Sequence, residues 1–349
     1  MLRASLARRA FGLAQLLSPA ISGPPPVNDR GVRLDRQTHL MLTFVERLGL
    51  PTADTLGPDR ARASFKEEIR LVGVRGGPLA NVHDRRIPGP DGTLAIRIYT
   101  PRSAAPTPAL VYFHGGGWVI GDLDSHDATC RHLSHRAGVK VIAVDYRRAP
   151  EDPFPAAVED AIAAFQWIRT HAEELDVDPD RIAVGGDSAG GNLAAVVCQQ
   201  LLQAGQPTPC FQLLIYPATD LTRSTDSHQR FGEGFLLTHR LLDWFLANYL
   251  TDTAQELDPR ASPIATADLG GLPPAHVVVA GFDPLRDEGE AYAHALRAAG
   301  VPTTLRCYGS LVHGFFSMGG LVAAAGFAAD DIADVVGEAL KGSASVRES

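Results

Sequence analysis

The chain is poor in the features that mark membrane, metal or nucleic-acid proteins. No apolar run approaches the ~18 residues a helix needs to span a bilayer. Only four cysteines occur in 349 residues, Cys130, Cys198, Cys210 and Cys307, and no two form a Cys-X-X-Cys pair. A zinc ribbon and a thioredoxin motif are therefore unsupported. Cys198 and Cys210 lie in apolar stretches and read as buried free thiols, which suits a reducing, cytoplasmic compartment. Positive charge is short as well: 32 Lys and Arg stand against 40 Asp and Glu, a net of -8. With no basic stripe interleaved with aromatics, no nucleic-acid partner is expected. No glycine loop ends in a Lys, so nucleotide chemistry has no support. His132 and His135 are one helical turn apart, with His126 before them. No carboxylate or Cys completes a ligand set at suitable spacing, so they read as exposed helix histidines. Asp176, Asp178 and Asp180 lack the glycine and closing Glu of a calcium loop. No metal and no cofactor are expected.

What is present is a globular composition, 45% hydrophobic and 21% charged. Met41, Phe44, Val45 and Leu48 recur at helical spacing over 35–48, and Gly49 and Pro51 stop that helix. From residue 81 the pattern turns to strands. Short β-type runs cover 95–99 and 110–113, and Pro90-Asp91-Gly92 makes a hairpin turn ahead of them. Strands at 139–144, 182–185, 211–216, 277–280 and 304–308 then alternate with helices at 156–170, 190–204, 288–299 and 328–340. Such alternation means parallel strands joined by crossover helices, in a sheet covered on both faces. The interval 217–274 breaks the rhythm with no clear strand, and it holds Phe231, Phe235, Leu241, Leu242, Trp244, Phe245 and Tyr249. An insertion there belongs above the carboxyl edge of the sheet, where ligands bind.

Residues 1–28 carry Arg3, Arg8 and Arg9 and no acid before Asp29. Three readings stay open: a helix of the folded protein, which is favoured, a membrane-surface contact through residues 1–17, or a cleaved targeting segment. Pro24-Pro25-Pro26 ends whichever it is.

Chemistry enters through two glycine-rich motifs, each directly after an apolar run. His114-Gly115-Gly116-Gly117-Trp118 follows the first, and Gly186-Asp187-Ser188-Ala189-Gly190 follows the second. A serine hydroxyl is a weak nucleophile that needs an exposed position and a base. Gly186 and Gly190 permit the sharp strand-to-helix turn that lifts Ser188 above the sheet. The glycines after His114 let backbone N–H groups approach an oxyanion closely. The donors are assigned to Gly115, Gly116 and Ala189, with His114 holding the loop. Downstream, Asp283 and His313 each end a strand, at the edge where Ser188 emerges. His313 is the expected base and Asp283 its orienting acid, in the chain order Ser–Asp–His. Asp287 and Glu288 remain rivals for the acid.

Taken together, these motifs resemble the bacterial hormone-sensitive-lipase family of carboxylesterases. The resemblance runs from about residue 34 to the last helix. It also rests on Gly121-Asp122-Leu123-Asp124-Ser125-His126-Asp127, Asp145-Tyr146-Arg147, Ala149-Pro150-Glu151, Pro153-Phe154-Pro155-Ala156, Asp283-Pro284-Leu285-Arg286-Asp287-Glu288 and His313-Gly314-Phe315. Arg148 and Asp152 depart from the family pattern beside a structural loop. The resemblance implies an α/β-hydrolase fold with a mostly parallel eight-stranded sheet, helices on both faces and a helical cap. It implies Ser188, Asp283 and His313 as the triad, no metal, short- to medium-chain acyl esters as substrates, and a homodimer as a frequent state. The partition expected is an N-terminal extension and cap helices over 1–75, core over 76–217, cap insertion over 218–272 and core again over 273–349. Trp118, Phe231, Phe235, Trp244 and Phe245 are the expected substrate-binding side chains. An amidase or deacetylase using the same triad, an interfacial lipase, and a non-catalytic receptor on the same fold are the competing functions.

Overall fold

The computed structural model describes residues 21–74, 76–103 and 106–341. The membrane-surface expectation for residues 1–17 lies outside the described residues. Helices α1 (Arg36–Arg47), α2 (Ala53–Leu56) and α3 (Pro58–Val72) come first. Asp35 caps α1, its carboxylate accepting from the N–H groups of Gln37 and Thr38. Next come β1 (Asn81–Gly89), β2 (Gly92–Thr100), β3 (Thr107–Phe113), α4 (Asp127–Ala137), β4 (Lys140–Asp145), α5 (Ala156–Thr170), β5 (Val177–Asp187), α6 (Ala189–Gln203) and β6 (Gln212–Ile215). The insertion contributes α7 (Asp226–Phe231) and α8 (His239–Tyr249). The chain closes with β7 (Ala275–Phe282), α9 (Arg286–Ala298), β8 (Thr303–Val312) and α10 (Ala323–Lys341).

The eight strands form one sheet in the order β1-β2-β4-β3-β5-β6-β7-β8. The β1–β2 hairpin turns at Pro90-Asp91 and pairs antiparallel with β4; every other pairing is parallel. Alternate residues of a strand face opposite sides. Val111 and Phe113 accordingly join the core under α5, α6 and α9, while Leu110 and Tyr112 join the core under α4 and α10. This is the α/β-hydrolase fold expected from the sequence.

Register places the functional segments. Phe113 of β3 pairs with Gly186 of β5, so the loop after β3 lies beside the turn after β5. The approach is tight. A Cβ on Gly190 would stand 1.9 Å from the Phe113 carbonyl oxygen, and one on Gly186 would stand 2.4 Å from it. At the far side Phe282 of β7 pairs with Val312 of β8, so Asp283 and His313 leave the sheet side by side.

Two expectations about buried residues need correction. Cys198 is buried but Cys210 is exposed, because it precedes β6 at the surface. His126 is buried, with Nε2 3.5 Å from Asp187, and His132 lies 3.2 Å from Asp330; His135 alone of the three is exposed. Among the described residues no cluster of three His, Cys, Asp or Glu side chains could hold a metal, and no helix is long and apolar enough to cross a membrane.

Burial lowers several histidines: His114 to about 3, and His228 and His276 to about 4. Each binds its proton more weakly folded than unfolded. Their stabilising contribution is therefore present above pH 6.5 and is lost as pH falls through the lowered values. The melting temperature should drop between pH 6.5 and about 4, with a shallower drop in His276→Gln; equal slopes would exclude His276 as a contributor. Gly190→Ala should cost roughly 4 kcal/mol or more, because the clash is with backbone. Urea unfolding measures this, and a loss under about 1 kcal/mol would mean the β3–α6 approach can relax.

Candidate active site

Ser188 sits between β5 and α6 with φ 56° and ψ −119°. A left-handed backbone is costly for a residue with a Cβ, by about 1–3 kcal/mol, and persists only when its surroundings enforce it. Here the Ser188 N–H donates to the Ile215 carbonyl at 2.8 Å, and its own carbonyl accepts from Asn192. The Asn192 side-chain amide in turn donates to the Ala218 and Ala261 carbonyls. The turn is thus held between β6 and the start of the insertion.

Three side chains expected to act together do meet. His313 Nε2 lies 2.9 Å from Ser188 Oγ, and His313 Nδ1 lies 2.8 Å from Asp283 Oδ2. Asp283 has no solvent exposure, and its other oxygen accepts from the Leu285 N–H at 2.9 Å. The rival acids are engaged elsewhere. Glu288 accepts from the N–H groups of Thr219 and Asp220, and Asp287 from the Ser227 N–H and the Arg286 guanidinium. Burial pushes the Glu288 carboxyl well above the usual carboxylate range. Its partner across 3.3 Å is the buried His228.

The glycine loop requires a correction. The Gly115 N–H donates to Asp187 Oδ1 at 3.0 Å, so it is not available to an oxyanion. Among the described residues, the N–H groups of Gly116, Gly117 and Ala189 meet no acceptor. Of the two glycines first assigned as donors, only Gly116 keeps an unengaged N–H. Asp187 is the anchor that sequence reasoning missed. The same oxygen that holds Gly115 also accepts from the Tyr112 hydroxyl at 2.6 Å. Burial alone would raise this carboxyl, but His126 and Tyr112 hold it below its ordinary value. Its place directly before the serine was the available signal; its partners, 72 and 75 residues away, were not visible. His114 holds the loop as expected. Its Nδ1 bonds the Gly115 carbonyl at 2.8 Å, and its ring stacks on Tyr146 at 4.2 Å. Arg148, a departure from the family pattern, bonds the Gly121 carbonyl and braces the end of this loop.

The five aromatic candidates fall into two groups. Trp118 is buried and stacks flat on Tyr249 of α8, with ring centroids 4.3 Å apart. Phe245 packs over Gly117, and Trp244 lies beside Phe245. Trp118 and Phe245 tie the glycine loop to α8. Phe231 and Phe235 instead pack on Phe282, next to Asp283.

Known proteins share this fold. A family model described as the α/β-hydrolase fold matches residues 110–317. A carboxylic ester hydrolase of Mycobacterium tuberculosis is 50% identical over 83% of this chain and 80% of its own length. An ethyl acetate hydrolase of Pseudomonas putida is 42% identical over 76% of this chain and 86% of its own. Among solved structures, an ester hydrolase from the metagenome of Lake Arreo matches with TM-score 0.85 at 43% identity, covering 87% of this chain and 98% of that one. A thermostable carboxylesterase from a metagenomic library matches with TM-score 0.79 at 45% identity, covering 82% and 98%. The chain belongs to the α/β-hydrolase-fold family, among its hormone-sensitive-lipase-type carboxylic ester hydrolases.

Proposed function

We propose that the protein hydrolyses short- to medium-chain acyl esters through an acyl-enzyme on Ser188. The observation that carries this reading is the unbroken chain from Ser188 Oγ through His313 to Asp283, at 2.9 and 2.8 Å. With Nδ1–H given to Asp283, Nε2 is free to accept. His313 takes the Ser188 proton as Oγ attacks the ester carbon, then returns it to the leaving alcohol. Water repeats the sequence on the acyl-enzyme, releasing the acid and restoring Ser188. Asp283, out of solvent, stabilises the imidazolium that forms between these transfers.

The N–H groups of Gly116, Gly117 and Ala189 receive the negative charge on the former carbonyl oxygen. Each such donor, fixed in advance, is worth about 2.7–4 kcal/mol in the transition state. Ala189 is the first residue of α6, so its N–H is one of the helix donors without an internal partner. The nearby helix terminus favours the same charge. Phe245 over Gly117 and Trp244 beside it supply apolar wall on the acyl side, and their bulk favours modest chains. The relative named ethyl acetate hydrolase supports the same size range.

Hydrolysis of p-nitrophenyl esters from acetate to palmitate should peak at short or medium chains. Ser188→Ala should lose about 10⁴-fold or more in kcat while keeping its melting temperature. Turnover that survives the substitution would remove Ser188 as nucleophile. A maximum on palmitate emulsions would favour an interfacial lipase, and cleavage of anilides alone would favour an amidase. A second expectation concerns pH. The base works only when unprotonated, so kcat/KM on p-nitrophenyl acetate should rise with pH across the range in which imidazoles lose their proton. A flat profile in a stable protein would contradict His313 as base.

A further inference from the structure

The acid and base emerge from a flaw in the sheet. The β7–β8 ladder is regular up to Ala280↔Tyr308 and resumes at Phe282↔Val312. Between these pairs Gly281 alone opposes Gly309, Ser310 and Leu311. Backbone groups at such an irregularity lose their ladder partners and need others. The flaw lies two residues before Asp283 and begins four before His313, so its rigidity bears directly on both.

A strap from the N-terminal region fills it. The Asn28 side-chain amide donates to the Gly281 carbonyl at 3.3 Å and to the Gly309 carbonyl at 3.2 Å. Its oxygen accepts from the N–H groups of Arg30 and Val32, so both donors and both acceptor sites are used. The Asp35 N–H donates to Ser310, the middle residue of the flaw. Beside it, Asp29 makes a two-pronged ion pair with Arg286 at 2.7 and 2.9 Å. The Arg286 side chain is only 2% exposed. Its guanidinium also reaches the Gly281 carbonyl and the Asp287 carboxylate. Arg286 opens α9 three residues after Asp283, and its N–H donates to the Asp283 carbonyl at 3.1 Å. The turn carrying Asp283 is therefore gripped from both ends, by Asn28 at Gly281 and by Asp29 through Arg286.

We propose that Asn28 and Asp29 are positioning residues that keep Asp283 and His313 in the mutual geometry the reaction requires. The proposal rests on the Ser188 reading given above. Neither residue touches substrate. Each acts through backbone or Arg286, and losing either loosens the Asp283–His313 contact without emptying the acyl pocket. Misplacement of a reacting group by about 1 Å can cost about 100-fold in rate.

The test compares Asn28→Asp, Asp29→Asn and the control Arg33→Ala, which removes an exposed strap contact to Pro25. Asn28→Asp keeps the acceptor oxygen but loses the bridging amide. Asp29→Asn keeps the shape but removes the charge facing Arg286. On p-nitrophenyl acetate we expect both strap variants to lose about 10- to 100-fold in kcat, with KM within about twofold of wild type. The acid limb of the rate profile should move to lower pH, because a loosened Asp283 stabilises the imidazolium less. Arg33→Ala should match wild type. A fall in melting temperature with kcat and the acid limb unchanged would overturn the proposal, and so would failure of both variants to fold, since positioning requires a folded enzyme whose chemistry alone has changed. Ser188→Ala assayed alongside separates the two levels. If it retains turnover, the triad reading fails. If it is inactive while both strap variants match wild type, only the strap proposal fails.

Discussion

Everything at the catalytic end depends on one close approach between backbones, that of the Phe113 carbonyl to the Gly186–Gly190 turn. It brings the glycine loop after β3 against the serine turn after β5. Side chains do not mediate this contact, so no rotamer change could replace it. The Phe113–Gly186 pairing sets its height along the sheet, and the absence of any Cβ sets its depth. A single buried carboxylate then locks the two segments. Asp187, from the serine side, holds Gly115 of the loop and Tyr112 of β3 together. A buried charge of this kind is tolerable because hydrogen bonds surround it.

Much of this was legible in the chain itself. Strand and helix periods located the crossover helices α5, α6 and α9, and 156–170 coincides with α5 at both ends, while α4 between β3 and β4 was not among the helices read from the periods. Ser188, Asp283 and His313 could be singled out because each motif carries its own local glycines or follows a strand. What escaped the sequence is long-range. Gly115 was a natural donor candidate, since nothing local distinguishes its N–H from those of Gly116 and Gly117; its acceptor arrives from another strand. His126 looked like a surface histidine because the helical pattern around it is polar, yet Asp187 and Tyr112 enclose it. Over Pro58–Val72 only Ala61 is buried, so α3 shows little apolar stripe to read, although Pro58 at its first turn is a start signal.

The insertion between β6 and β7 is bound to the chemistry as well as laid over it. Ser227 at the start of α7 bonds the Pro284 carbonyl and the Asp287 backbone, and Phe231 covers Arg286. At the other end Tyr249 and Phe245 of α8 hold Trp118 and Gly117. One helix thus contacts the acid turn and the other the glycine loop. A change in the packing of either helix therefore loads one of these two contacts.

The irregularity opposite Gly281 has a further meaning as an adjustment of phase. Three residues on β8 against one on β7 add two residues to β8, an even number. Strand side chains alternate with period two, so an even excess slides the strand lengthwise without turning it over. His313 keeps its face and is displaced by roughly 6–7 Å along the strand relative to an unbroken ladder. Losing one of the three residues would invert the side on which the imidazole projects. Losing two would close the ladder with Val312 still opposite Phe282, and the side would be preserved. The length of chain that reaches the base is quantised, and this sheet has taken the step that fits.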